Sequence, residues 1–366
     1  MHGRPLFRLS FLTAGVLLLA VSLILLACAR MIPGFASFYA QHAYPLLKTV
    51  IGGLCGLLPI SVSEFGLYGL LLASACYIGL HFRQPLRLAS RGFFLASALF
   101  FLYMINCGVN YYRSPFSYEA GLTTAPSTPQ ELYRLCEFLV DAANEAAGSL
   151  EDASSLAPYP GQTDDTPAPS FSYLREMGRL GQEAMENLGK TYPQLAGWYP
   201  YPKPLAVSRI LSVQQLCGVY SPFTVEANYN REMPLYNIPH TICHELSHLK
   251  GYMREDEANF IGYLAFLSSS SPEVRYSGYL MGWVYAGNAL AAEDPEGYLQ
   301  LRSKLLPEVS QDLAYNNQFW DRFEGKAAEV SARINDSYLK AHRQEDGVKS
   351  YGRMVDLMLA YYKTAS

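Results

Sequence analysis

The chain has 366 residues, of which 50% are hydrophobic and only 16% are charged. An average soluble domain carries roughly 25% charged residues, and the deficit here is confined to one part of the chain. Residues 1–113 contain eight Lys and Arg side chains and one acid, Glu64, whereas the remainder contains 20 basic and 31 acidic side chains. An apolar, basic part followed by a polar, acidic part excludes an ordinary cytosolic enzyme, a disordered chain and a basic nucleic-acid-binding protein.

Three segments of the apolar part are long enough to cross a bilayer as helices. Two of them hold 21 uncharged residues each, one between Arg8 and Arg30 and the other between Arg91 and Arg113. A helix of about 20 residues covers the roughly 30 Å of hydrocarbon in a membrane. We predict a transmembrane region of residues 1–113, with spans at about 9–29, 62–82 and 92–112.

Two alternatives stay open for this region. The apolar stretch at 50–58 would add a fourth span, although it is short and holds three glycines, which favours a re-entrant or interfacial segment. In the second alternative, the first span is a cleaved signal peptide, since a signal peptide also has a short basic start before its apolar stretch.

Positive charges that flank the spans predict the orientation of the chain. Arg4 and Arg8 precede the first span, and Arg83, Arg87 and Arg91 separate the second span from the third. Both clusters are expected in the cytoplasm, which places everything after the third span outside. We therefore predict a multi-pass protein of the cell membrane, in contact with the lipid bilayer, whose large C-terminal domain is extracytoplasmic.

The acidic part begins with a predicted linker. Residues 114–127 are rich in Ser, Thr and Pro, and the predicted domain covers residues 128–366. Thr128 and Glu131 form a capping box with Pro at the first helical position, so a helix is expected to begin there. A second helix is predicted from about Tyr173 to Gly189.

The rest of the acidic part predicts a mainly α domain with a small β-sheet. Apolar and β-branched residues bounded by turn formers predict short strands at 205–213 and 217–225. After Pro239 the pattern is helical almost to the end of the chain. Breaks between helices are expected near residues 251, 270–272, 294–295 and 307.

Residues 244–248, His-Glu-Leu-Ser-His, form an H-E-x-x-H motif. Residues four apart lie on one face of a helix, so the imidazoles of His244 and His248 can bind one metal ion. Glu245 is then placed to take a proton from a metal-bound water. A zinc site with an open position for water needs one more protein ligand.

The segment after the motif offers carboxylates for that third position. Position 254 is Arg, where the metzincin pattern has a third His, so that subclass is excluded. Residues 255–259, Glu-Asp-Glu-Ala-Asn, resemble the E-x-x-A-[DN] signature of glutamate zincins. The resemblance implies that Glu255 is the third zinc ligand, with Glu257 as the alternative.

The same resemblance implies that Asn259 orients one of the ligand histidines, His244 or His248, through the ring nitrogen that does not bind metal. The spacing departs from thermolysin-like enzymes, because only seven positions separate His248 from Glu255. A sharp turn at Gly251 must therefore bring the second helix straight back.

Longer stretches resemble a bacterial membrane family, domain of unknown function 3810, which is placed near the zinc peptidases. They comprise residues 218–228, 240–265 and 335–362, and the middle stretch is the specific one. The resemblance extends from the membrane spans to the C-terminus. It implies a zincin-like metallopeptidase domain preceded by N-terminal transmembrane helices, and it identifies no substrate.

Two further groups of residues are candidates for the cleft. Zincins place a substrate-pairing edge strand before the motif helix, and an ordinary strand is an equally good interpretation of the residues found there: Tyr220, Thr224, Glu226 and Asn228. A donor that stabilises negative charge on the substrate is also needed. Its candidates are Tyr285, Tyr315 and Tyr351, between which the sequence does not decide.

We expect a membrane-anchored, zinc-dependent metallopeptidase that hydrolyses a peptide or protein substrate. Glu245 is the expected catalytic acid–base group. The alternative is a non-catalytic, zinc-containing sensor or binding module at the membrane. Neither function involves nucleic acid.

Overall fold

The structure is a computed structural model, and it describes residues 10–125, 127–152, 160–341 and 353–365. The chain is 73% helical with a small three-stranded sheet, which confirms the prediction of a mainly α protein. It divides into two compact units. The first comprises residues 1–58, 62–114 and 221–225, and the second comprises residues 59–61, 115–220 and 226–366.

The first unit contains three helices that are long and apolar enough to cross a membrane. They are Phe11–Met31 (α1), Val62–His81 (α5) and Pro85–Tyr112, which is α-helical to Tyr103 (α6). The last begins seven residues before the predicted span, because Pro85 starts the helix and Arg87 and Arg91 lie in its first turns. The short helices between α1 and α5 are Phe35–His42 (α2), Tyr44–Leu47 (α3) and Gly53–Gly56 (α4).

The second unit contains the remaining helices, which are numbered in chain order. They are Phe116–Glu119 (α7), Pro129–Asp152 (α8), Phe171–Thr191 (α9), Arg209–Val213 (α10), Asn237–Leu249 (α11), Glu255–Leu267 (α12), Pro272–Glu293 (α13), Pro295–Arg302 (α14), Pro307–Asp321 (α15), Lys326–Ala341 (α16) and Arg353–Ala365 (α17). The predicted breaks near residues 251, 270–272, 294–295 and 307 are confirmed. The capping box at the start of α8 is confirmed too: Glu131 Oε2 accepts from the Thr128 amide at 2.8 Å, and Thr128 Oγ1 accepts from the Glu131 amide at 3.2 Å.

The sheet consists of Lys203–Pro204 (β1), Gly218–Ser221 (β2) and Glu226–Tyr229 (β3), in the order β1-β3-β2. Strand β1 runs parallel to β3, with Lys203 opposite Asn228. The two outer strands therefore flank β3, and β2 is an edge strand. The predicted strand at 217–225 is shorter than expected, because residues 222–225 form a turn, in which Val225 has a positive φ of 53°.

The predicted strand at 205–213 is wrong, because this segment forms a turn followed by α10. Val207, Ile210 and Val213 are exposed, while Leu211 is buried. The apolar residues thus follow a three-residue helical spacing rather than the alternation of a strand. The Ser208 carbonyl accepts hydrogen bonds from the amides of Leu211 and Ser212, which closes the helical turn.

Candidate metal centre

Helix α11 carries the H-E-x-x-H motif through the interior of the second unit. It packs against α9, α12, α13 and β3. Gly181 of α9 permits a close approach, since a Cβ there would lie 2.4 Å from Cγ2 of Ile242. The start of α11 is fixed by Ser277 of α13, whose hydroxyl donates to the Tyr236 carbonyl and accepts from the His240 amide at 3.1 Å. The motif therefore lies on a buried helix.

A tight turn links α11 to α12. Gly251 has a φ of 87°, and its amide bonds to the His248 carbonyl at 2.8 Å. The Tyr252 amide bonds to the Ser247 carbonyl at 3.2 Å, which is the pattern of a Schellman motif at a helix C-terminus. The turn brings Glu255, the first residue of α12, back beside the motif. This geometry accounts for the short spacing between His248 and Glu255.

The turn places His244, His248 and Glu255 around one point. Nε2 of His244 lies 3.3 Å from Glu255 Oε2, and Nε2 of His248 lies 3.7 Å from Glu255 Oε1. One nitrogen or oxygen from each of the three side chains falls within 4.8 Å of the other two. Among the residues that the structure describes, these three side chains form a group of His, Cys, Asp or Glu that is close enough to hold a metal ion.

Both histidines are oriented by acceptors at Nδ1. His244 Nδ1 lies 2.8 Å from Oδ1 of Asn259, and His248 Nδ1 lies 2.8 Å from the carbonyl oxygen of Tyr252. An acceptor at Nδ1 keeps the proton there and leaves the Nε2 lone pair for a metal. Two imidazoles and one carboxylate form the ligand set of catalytic zinc sites. The residues present thus fit a zinc ion.

The charges of the three side chains are coupled. Burial lowers the pKa of His244, but the hydrogen bond and the charge of Glu255 outweigh it and bring the pKa to about 9. Burial lowers the pKa of His248 to about 4. Burial raises the pKa of Glu255, yet His244 and His248 hold it below its ordinary value. The carboxylate is therefore ionised, and a metal ion bound at this site would displace the Nε2 proton of His244.

Glu245 lies next to this group and is only 4% exposed. Burial raises its pKa to about 8, the charge of Glu255 adds to this, and His244 and a hydrogen bond from the Tyr220 amide act against it. Its Oε2 makes no hydrogen bond to any described residue. A buried carboxyl group whose pKa lies near 8 can both take up and release a proton near neutral pH.

Glu257, the alternative ligand, faces a different part of the unit. Its Oε1 accepts from the Phe116 amide at 2.9 Å and lies 3.4 Å from Nη1 of Arg254. Side chains two positions apart on a helix point in nearly opposite directions, so Glu255 and Glu257 do not share a face. The structure thus brings Glu255, and not Glu257, to the two histidines.

The four residues of the possible substrate strand occupy different environments. Tyr220 is near the centre, with its ring 6.5 Å from the ring of His248. Thr224 lies in the turn after β2 and donates to the Ser221 hydroxyl at 3.0 Å. Glu226 forms a buried ion pair with Lys203 at 2.5 Å, and Asn228 is fully buried. Of the four, Tyr220 has the contacts expected of a cleft residue.

The three candidate tyrosines also occupy different environments. The Tyr285 ring lies 6.3 Å from that of His240. Burial raises the pKa of Tyr285, and the charge of Glu255 adds to this. Tyr315 lies on α15 under the guanidinium of Arg322, with Asp164 as its acidic neighbour, and Tyr351 lies outside the described residues.

Two neighbours of the centre were not predicted. The Tyr252 carbonyl that orients His248 is a backbone group, so no residue type marks it. His240 precedes His244 by four residues, and the repeated spacing His240, His244, His248 is a signal that the sequence does carry. All three lie on one face of α11.

The profile of the family described as "Protein of unknown function (DUF3810)" matches residues 39–359. The match covers most of the chain, and the chain therefore belongs to this family. No curated protein and no solved structure matches it. Because the family description assigns no activity, the chemistry of the metal centre is the basis for a function.

Proposed function

We propose that this protein is a membrane-anchored zinc metallopeptidase. The observation that carries the proposal is the arrangement of His244, His248 and Glu255 within 4.8 Å, with Glu245 buried beside them. Both imidazoles have an acceptor at Nδ1, as ligands of a catalytic metal require. These three side chains would hold the ion, and Asn259 would orient one of them.

Zinc, when bound, supplies a Lewis acid that polarises a carbonyl and lowers the pKa of water to about 7. The chain supplies the acid–base group: Glu245 takes the proton of the attacking water and passes it to the leaving amine. Its Oε2 is the oxygen available for that proton, because the other oxygen faces the Tyr220 amide and Gly218. The Tyr220 segment belongs to β2, an edge strand of the sheet, and an edge strand is where an extended peptide substrate would pair.

The proposal includes the membrane. Three helices of the first unit are long and apolar enough to span a bilayer. The arginines at 4, 8, 83, 87 and 91 support a cytoplasmic position for both of their clusters. A multi-pass topology with residues 115–366 on the extracytoplasmic side follows, and the substrate is then a peptide or protein on that side.

The test uses the full chain purified in detergent, with zinc content and cleavage of a library of unstructured peptides as the two readouts. We expect about one zinc per chain and a defined set of cleavage products. Glu245→Gln keeps the zinc and loses cleavage, because the amide cannot accept the proton. Cleavage that is unchanged in Glu245→Gln would overturn the assignment. A zinc-loaded wild-type chain that cleaves no library member would instead support the non-catalytic zinc module.

A further inference from the structure

His240 lies one helical turn before the first ligand of the metal centre. It is 5% exposed, and its ring centroid is 6.3 Å from that of His244. It is not one of the three clustered side chains of the centre. Its ring packs against Phe266 at 5.5 Å and Tyr285 at 6.3 Å. Such packing alone would suit an aromatic hydrocarbon ring equally well, so the two nitrogens of His240 need another explanation.

Asn259 provides that explanation, because it lies between the two histidines. Its Oδ1 is 2.8 Å from Nδ1 of His244, and its side chain acts on the His240 ring as a hydrogen-bonding neighbour. Asn259 Nδ2 and His240 Nδ1 are both buried, and neither makes a hydrogen bond of normal geometry to a described residue. The first is a donor, and the second is an acceptor in the neutral tautomer that carries its proton on Nε2. A hydrogen bond between the two atoms would satisfy both.

The orientation of the Asn259 amide determines which ring nitrogen of His244 carries the proton. With Oδ1 towards His244, Nδ1 carries the proton and Nε2 has a lone pair for the metal. With the amide reversed, Nδ2 would donate to Nδ1, and the proton would have to move to Nε2, where it blocks ligation. An asparagine amide has no preference of its own between these two directions. Some neighbour must supply the preference.

We infer that His240 is a positioning residue, which accepts from Asn259 Nδ2 through Nδ1 and thereby holds the amide in the direction that keeps His244 ready to bind metal. The inference rests on the proposed metal centre and extends it by one residue. Burial keeps His240 neutral, together with the charge of His244, and the pKa of His240 is lowered to about 3. A neutral imidazole has one ring nitrogen that accepts a hydrogen bond.

The test compares two substitutions of His240 in the full chain, with zinc affinity measured by competition against a chromophoric chelator. His240→Phe keeps the ring but has no acceptor, whereas His240→Asn loses the ring but places its side-chain oxygen near the position of Nδ1. We expect zinc affinity to fall roughly tenfold in His240→Phe and to stay within about threefold of wild type in His240→Asn. A ring that serves only packing predicts the opposite order, and that order would overturn the inference.

A second pair of variants, made in the Asn259→Asp background, tests whether His240 acts through Asn259. Asn259→Asp has two equivalent oxygens, so His244 finds an acceptor in either orientation. We expect His240→Phe to change zinc affinity less than threefold in the Asn259→Asp background, against roughly tenfold in the Asn259 background. Equal losses in both backgrounds would show that His240 does not act through Asn259.

The outcome also separates this inference from the proposed function. A wild-type chain that binds no zinc overturns the metal centre, and the role of His240 with it. A wild-type chain that binds zinc through His244, with an affinity that His240→Phe leaves unchanged, overturns the role of His240 alone.

Discussion

Gly218 of β2 lies directly against the carboxylate of Glu245 in α11. A Cβ atom at position 218 would stand 2.5 Å from Glu245 Oε1, 2.7 Å from Thr241 Cγ2 and 2.9 Å from the carbonyl oxygen of Asn228. Cβ atoms do not approach other atoms so closely. The edge strand can therefore reach the proposed general base only because position 218 has no side chain.

Replacing Gly218 by Ala should disturb Glu245 without removing a ligand of the centre. The methyl group must push the carboxylate away or lift β2, and either movement weakens the hydrogen bond from the Tyr220 amide. We expect turnover to fall at least roughly tenfold, because a misplaced base loses much of its effect. Zinc content should stay at the wild-type level. Gly148→Ala in α8 is the matched control, since a Cβ there meets nothing within 4 Å, and full activity in Gly218→Ala would contradict the prediction.

Tyr285 is the tyrosine from which we expect a contribution to catalysis. A hydroxyl that donates to the negative charge developing on the substrate is worth about 10²–10³ in turnover. Tyr285→Phe should therefore lower kcat by roughly that factor while zinc binding is kept. Tyr315→Phe, on α15 beside Arg322, is the control and should be neutral. Equal kcat values for the two variants would remove Tyr285 from the mechanism.

Asp312 of α15 should be among the residues on which the stability of the second unit depends most. Its buried carboxylate accepts from the amides of Gly161 and Gln162 at 2.9 and 2.6 Å and from the hydroxyl of Tyr276 at 2.6 Å. Asp312→Ala leaves three donors without this acceptor, so we expect the free energy of unfolding to fall by about 3 kcal/mol.

Tryptophan fluorescence during urea unfolding measures this change. All three tryptophans of the chain, at positions 198, 283 and 320, belong to the second unit. Asp321→Ala, an exposed position at the end of the same helix, should change the free energy of unfolding by less than about 0.5 kcal/mol. A shift of similar size in both variants would show that the Asp312 hydrogen bonds contribute little.

Two cysteines of the second unit should resist alkylation in the folded protein. Cys136 and Cys243 are fully buried, and burial raises the pKa of each thiol to about 12. The reactive form is the thiolate, which is present at pH 8 in only about one chain in ten thousand when the pKa is near 12. Iodoacetamide followed by mass spectrometry should find both unmodified until the protein is unfolded. Ser310→Cys, on an exposed position of α15, is the control, and modification of Cys136 or Cys243 at the rate of this control would contradict their burial.

The helices and their boundaries were largely predictable because their signals are local. The capping box at Thr128 and the prolines at 272, 295 and 307 each begin a helix where the sequence predicts one. The segment at 205–213 was not predictable from its composition. Its β-branched residues favour a strand, but the backbone turn at Ser208 and the burial of Leu211 favour a helix.

The candidate site, too, was predictable from the sequence only in part. The spacing of His244 and His248 and the acid at 255 are sequence signals, and the structure brings these three together. The roles of the Tyr252 carbonyl and of Gly218 depend on how β2 and the turn at Gly251 approach α11. Those distances follow from tertiary packing, which no single-sequence pattern records.

The proposed ligands lie close together in the sequence, and this affects how the centre assembles. His244 and Glu255 are eleven positions apart and are joined by one Schellman turn. Closing so short a loop costs little chain entropy, so one helical hairpin, formed by α11 and α12, holds every proposed ligand. An ion that joins the two arms acts as a cross-link across this hairpin. Its removal should therefore loosen the hairpin locally, with faster amide hydrogen exchange near residues 249–254, while distant helices such as α8 keep their protection.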